Sequence, residues 1–266
     1  MRLTVLKTVS LCLWVCLIPH GATASLPEGA KRIHVFVALC DNESQGIVPV
    51  GEKIGNGDDP ESNLYWGCSD GLKSYFSNSS RWKLLSKQKG LSDQILRRYL
   101  FEHKATGGIL VADAYRGSDI KACLRDFLAA AEGSLEAPVE VAGHGELAFG
   151  GRAELVAYIG HNGLMEHSIE AKRDDAKKAE RDAVVLACVS NSYFGERLSK
   201  AGARPVLMTD QLMYPGSFAL HEGLEVWFRG GTRKEIREAA AKAMAKNQKI
   251  SVRAARGIFS DLEDNG

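Results

Sequence analysis

The sequence predicts an α/β protein, a three-layer sandwich around a mostly parallel central sheet, and two observations carry that expectation. The first is a set of five runs that are continuously apolar rather than alternating, as strands covered on both faces are. They are residues 33–39 (IHVFVAL), 108–112 (GILVA), 153–161 (AELVAYIGH, stopping at His161), 182–188 (DAVVLAC, stopping at Cys188) and 205–208 (PVLM). The second is that segments with helical periodicity lie between them. Strand and helix in alternation imply parallel pairing with helices on both faces.

The elements follow in order. Residues 1–24 open with Arg2 and Lys7, continue through the apolar stretch VSLCLWVCLI and reach Ala22-Thr23-Ala24. This tripartite pattern reads as a secretory signal peptide whose apolar core is too short to span a bilayer. It predicts a secreted or periplasmic protein with one domain over residues 25–266. After the first run, residues 43–91 form a loop-rich insertion. IGNGDDPESN and SNSS are its turn signals, and Tyr65, Trp66, Tyr75, Phe76 and Trp82 are the aromatics that close it onto the sheet. Ser92-Asp93 reads as the N-cap of a helix over DQILRRYLFEHK. Ser118 opens DIKACLRDFLAAAEG, where Ile120, Cys123, Leu124, Phe127 and Leu128 share one face and Gly133 ends the helix. Residues 137–160 read as a hairpin leading into the third run. Residues 165–181, including the charged KRDDAKKAER, read as a polar helix, and Thr232 opens a last helix, KEIREAAAKAMAKNQ.

Composition excludes several classes. The chain has 45% hydrophobic residues and a formal net charge of +1, and loss of residues 1–24 would remove two basic residues and no acidic ones. Near-neutrality offers no electrostatic footprint for nucleic acid. No other apolar stretch is long enough to cross a membrane. Of six cysteines, Cys12 and Cys16 lie in the leader, leaving Cys40, Cys68, Cys123 and Cys188. Four are too few for a disulfide scaffold, although up to two bridges are possible. No C-x-x-C or H-x-x-x-H spacing suggests a metal, and no cofactor is expected.

The chemistry-bearing feature is a pair of strand ends. Consecutive parallel strands deliver their carboxyl ends to one edge of the sheet, where open α/β folds place their sites. Here those ends carry His161, flanked by Gly160 and Gly163, and Cys188, followed by small and polar residues. An imidazole and a thiol on one rim are the minimum for cysteine nucleophilic catalysis. His144, in Gly143-His144-Gly145, competes for the base role from the hairpin, while His167 and His221 read as surface residues.

These motifs, Gly160-His161-Asn162-Gly163 and Leu186-Ala187-Cys188-Val189-Ser190-Asn191-Ser192, resemble those of the caspase-like cysteine peptidases, which include caspases, legumains, gingipains and clostripain. Residues 205–210 (PVLMTD) and Tyr214-Pro215-Gly216 are similar to the strand and loop that follow the cysteine in that superfamily. The resemblance implies a caspase-like topology and an exported cysteine hydrolase, an endopeptidase, acting on a peptide or protein. Cys188 would be its nucleophile and His161 its acid–base partner, with backbone amides of Cys188 and of Gly163 or Asn162 holding the oxyanion. Asp41 and Asp210, at the ends of the first and fifth runs, would be substrate-binding positions whose carboxylates suit a basic side chain. The chain departs from the group at Asn162, where glycine directly follows the histidine. The residues alone leave open a second class, a non-catalytic exported α/β module that binds a ligand or partner through the same rim.

Overall fold

The computed structural model describes residues 26–170 and 180–262. The leader and most of the charged segment 172–181 therefore lie outside the described residues. Seven strands form the main sheet: β1 (Arg32–Ala38), β2 (Trp82–Lys89), β3 (Ile95–His103), β4 (Ile109–Tyr115), β7 (Leu155–Ile159), β8 (Arg181–Leu186) and β9 (Ala203–Leu207). Their spatial order is β2-β3-β4-β1-β7-β8-β9. Strands β4, β1, β7, β8 and β9 pair in parallel, whereas β2 and β3 extend one edge antiparallel. The fold is thus α/β with a mostly parallel central sheet flanked by helices.

All five apolar runs are strands, and side-chain parity explains why they lack alternation. Ile33, Val35 and Val37 face one core, with α1 (Leu72–Ser77), α4 (Phe218–Phe228), α5 (Arg233–Gln248) and α6 (Val252–Arg256). Phe36 and Ala38 face the other, beneath α2 (Ile120–Glu132) and α3 (Ser190–Lys200). Both faces being covered, most positions are apolar, and the buried polar ones, such as His34 and Asp113, are paired. The insertion aromatics fulfil their packing role, since Tyr65, Trp66, Phe76 and Trp82 are all buried. The hairpin is β5 (Glu136–Val141) with β6 (Gly145–Gly150), and it forms a separate two-stranded sheet. Thr232 caps α5 in a reciprocal capping box with Glu235.

Three expectations are corrected. Residues 95–103 are strand, not helix. Ser92 Oγ does accept from the amides of Gln94 and Ile95, but these bonds close the β2–β3 turn. A serine hydroxyl serves a helix start and a turn by the same local bonds, so the signal was ambiguous. Nor does α2 begin on a Ser118 cap; a 3-10 turn, Gly117–Asp119, leads into it. Finally, residues 166–170 are not helical, and Arg181 is the buried first residue of β8. Its guanidinium donates to the carbonyls of Ala130 and Ala131, capping the carboxyl end of α2.

One further strand runs longer than its apolar pattern. The run 108–112 continues through Asp113 to Tyr115, with Asp113 1% exposed. Arg98 holds that carboxylate through two bonds of 2.6 and 2.7 Å, and His34 Nε2 adds a third at 3.0 Å. The β6 amide of Gly150 donates to His34 Nδ1, so Nε2 carries the proton given to Asp113. Burial would raise the Asp113 pKa, but the bonds from Arg98 and His34 outweigh it and hold the group below the usual carboxylate range.

Candidate active site

The connection leaving β1 runs through α1 to β2 on one side, and that leaving β7 runs to β8 on the other. The carboxyl ends of β1 and β7 therefore flank a topological switch point, the usual crevice of open α/β sheets. Strands β7 and β8 are neighbours in register, with Ile159 opposite Leu186 as the last pair. His161 and Cys188 each stand two residues beyond that pair. The sheet thus brings them to equivalent places on one rim.

Cys188 lies in a sharp strand–turn–helix junction. Val189 follows at φ 50°, in the left-handed region, which is strained for a β-branched residue. The loop after β9 clamps the start of α3. Gln211 and Thr209 carbonyls accept the amides of Val189 and Asn191 at 3.0 Å each, and Thr209 Oγ1 accepts that of Ser190 at 3.1 Å. The Cys188 thiol points to the Met213 carbonyl, with Sγ 3.8 Å from the oxygen.

His161 is 8% exposed, and its Nε2 lies 2.8 Å from Glu166 Oε1. A carboxylate accepts only, so Nε2 carries the proton and Nδ1 keeps the lone pair. The same Oε1 accepts the Gly46 amide at 3.0 Å. A side chain at Gly46 would place its Cβ 2.0 Å from that oxygen, so only glycine admits the carboxylate there. The His161 carbonyl accepts the Tyr158 hydroxyl at 2.7 Å and the Gly163 amide at 2.9 Å, which fixes the turn.

Asn162 joins the two strand ends. Fully buried, it donates Nδ2 to the Cys188 carbonyl at 2.8 Å, and its Oδ1 has no partner among the described residues. Of the three amides expected to hold an oxyanion, that of Gly163 is already given to His161. Those of Asn162 and Cys188 have no acceptor among the described residues.

The other candidates separate clearly. The four cysteines are free thiols. Burial pushes the Cys40 thiol up to about 11 and the fully enclosed Cys123 thiol well above its ordinary value, which disfavours the thiolate in both. Asp41 accepts from the Glu43 amide and the Ser44 hydroxyl, and Asp210 from Asn191 Nδ2 and Ser260 Oγ. Asp41 is engaged in its own loop, whereas Asp210 ties the loop after β9 to α3 and to the segment after α6 through Oδ1. His144 closes the tight β5–β6 turn, outside the loops at the ends of β7 and β8. His221 is not a surface residue but 2% exposed, with Nε2 2.8 Å from Ser79 Oγ. Ser79 also accepts the Arg81 amide, and Arg81 and Glu222 both meet His221 Nδ1. This knot ties the end of α1 to α4. Glu166 was missed from sequence; an acidic residue shortly after a strand-end histidine was its only signal.

Among the described residues no cluster of His, Cys, Asp and Glu is arranged to hold a metal ion, and no helix is long and apolar enough to cross a membrane. No known protein family, curated protein or solved structure matches the chain.

Proposed function

We propose that the protein is an exported cysteine hydrolase of the caspase-like kind, an endopeptidase acting through Cys188 and His161. One observation carries this reading: the two side chains belong to equivalent register positions on adjacent parallel strands, and Asn162 bridges their loops through the Cys188 carbonyl. Glu166 adds support, because a carboxylate on Nε2 orients the imidazole and leaves Nδ1 as the free acceptor.

The chemistry follows from that arrangement. His161 Nδ1 takes the thiol proton, and the Cys188 thiolate attacks a peptide carbonyl. The oxyanion is held by the amides of Cys188 and Asn162. Collapse expels the amine, which leaves with the proton from His161. Water, deprotonated by the same imidazole, then cleaves the thioester and restores the thiol. Residues 1–24 direct the chain to export, and the substrate is a peptide or protein. No metal or organic cofactor enters any of these steps.

Labelling by iodoacetamide tests the dyad. At pH 6 to 7, Cys188 in the wild type is expected to alkylate at least about tenfold faster than in His161→Ala, because the imidazole is the base that takes the thiol proton. Equal and slow labelling in both proteins would favour a non-catalytic module that binds through the same rim.

A further inference from the structure

We infer that Thr209 is the positioning residue of the proposed nucleophile, its hydroxyl holding the turn that carries Cys188 so that the thiol meets His161. This rests on the Cys188–His161 dyad proposed above. The bonds around Thr209 point to it. Thr209 is fully buried, and its Oγ1 touches the Ala187 carbonyl, the Ser190 amide at 3.1 Å and Ser190 Oγ at 3.2 Å. An amide only donates and a carbonyl only accepts, so the one hydroxyl proton of Thr209 goes to Ala187. Ser190 Oγ accepts the Thr209 amide at 3.0 Å and gives its own proton to the Val185 carbonyl at 2.9 Å. Both hydroxyl protons are thus committed, and the contact between the two oxygens is no further bond. Each hydroxyl accepts the other residue's amide, which fixes the pair in one arrangement.

The consequence falls on Cys188 and Val189, the two residues between Ala187 and Ser190. A single oxygen, Thr209 Oγ1, holds the chain immediately before them and immediately after them. Val189 stands at φ 50°, a conformation that a β-branched residue keeps only where its surroundings determine it. Two other bonds act on the same turn. The Gln211 carbonyl accepts the Val189 amide at 3.0 Å, and Asn162 Nδ2 donates to the Cys188 carbonyl at 2.8 Å. Without the Thr209 hydroxyl, the buried Ala187 carbonyl and Ser190 amide would be left unpaired or would turn to new partners, and the intervening thiol would move with them.

Iodoacetamide labelling of Cys188 in the full chain at pH 6 to 7 tests this as a double-mutant cycle with His161→Ala. Thr209→Val keeps the shape of the side chain and removes the hydroxyl, whereas Thr209→Ser keeps the hydroxyl. Thr209→Val is expected to label about tenfold slower than wild type, and Thr209→Ser within about threefold of it, since a small misplacement forfeits the help of a positioned group. In the His161→Ala background, Thr209→Val is expected to change the rate by less than about twofold, because a thiol with no base to meet loses nothing when displaced. A merely structural role, acting on the exposure of Cys188, would slow labelling by the same factor in both backgrounds and overturn the inference. A Thr209→Ser rate as slow as that of Thr209→Val would overturn it too. If Thr209→Val does not unfold cooperatively in urea, Thr209→Ala, which leaves room for a water at the Ser190 amide, takes its place with the same expectations. Equal labelling of wild type and His161→Ala removes the dyad, and this inference with it. A Thr209→Val rate equal to wild type, with labelling still dependent on His161, removes Thr209 and leaves the dyad standing.

Discussion

Glu166 enters the site only because residue 46 is glycine. The carboxylate oxygen that accepts from His161 also accepts the Gly46 amide, in the space a Cβ would fill. Gly46→Ala should therefore displace the end of a flexible side chain without touching the core. Its melting temperature is expected within about 2 °C of wild type, as for other surface changes. Labelling of Cys188 by iodoacetamide should fall about tenfold, because the ring loses the partner that sets its tautomer. A large drop in melting temperature, or unchanged labelling, would refute this linkage. At this scale Cys188 and His161 were legible, since each ends an apolar run. Glu166, Gly46 and the reach of Asn162 were not, because nothing in their neighbouring residues marks the contact they make.

Among the elements, the β8–α3 junction holds a β-branched residue in the left-handed region. Val189 adopts φ 50° at the N-cap position of α3. Such a conformation costs about 1–3 kcal/mol, part of which glycine would recover against its own greater chain entropy. Val189→Gly is accordingly expected to stabilise the fold by about 1 kcal/mol in urea unfolding while slowing Cys188 labelling, since a freer turn aims the thiol less well. Loss of stability would show that no strain is stored there. The strands β1, β4, β7, β8 and β9 were readable because burial on both faces leaves runs of consecutive apolar residues in each. β3 was not, since ILRRYLFEH mixes charged and apolar residues and its Ser92 bonds suit a turn and a helix start equally. Its tertiary setting decided: Tyr99 and Phe101 enter one core and Leu100 another.

Across the whole molecule, the buried group Asp113–Arg98–His34 binds β4, β3 and β1 together, and the bond from Gly150 adds the hairpin. Asp113→Ala would leave Arg98, 12% exposed, without its counter-charge. The expected loss is about 3–5 kcal/mol in urea unfolding at pH 7, typical of breaking one side of a buried ion pair. The pH dependence has a definite sign. Because the folded state holds Asp113 below the ordinary carboxylate pKa, its contribution is complete above that ordinary value and disappears as the pH falls through the lowered one. Asp113→Asn should flatten this acid-induced loss of stability, and an unchanged acid profile would show that other carboxylates control it.

The sequence by itself determined which five segments are buried strands, where the strand ends carrying His161 and Cys188 fall, and that helices cover both faces. These properties are written in consecutive residues, through burial, capping and turn chemistry. Only the tertiary structure decided the strand order that makes β7 and β8 neighbours, the conversion of residues 95–103 into strand and the extension of β4 through Asp113. It alone also set Glu166 on His161 and Asn162 on the Cys188 carbonyl. Such contacts join segments or loops whose meeting depends on the path of the whole chain, which local pattern does not encode.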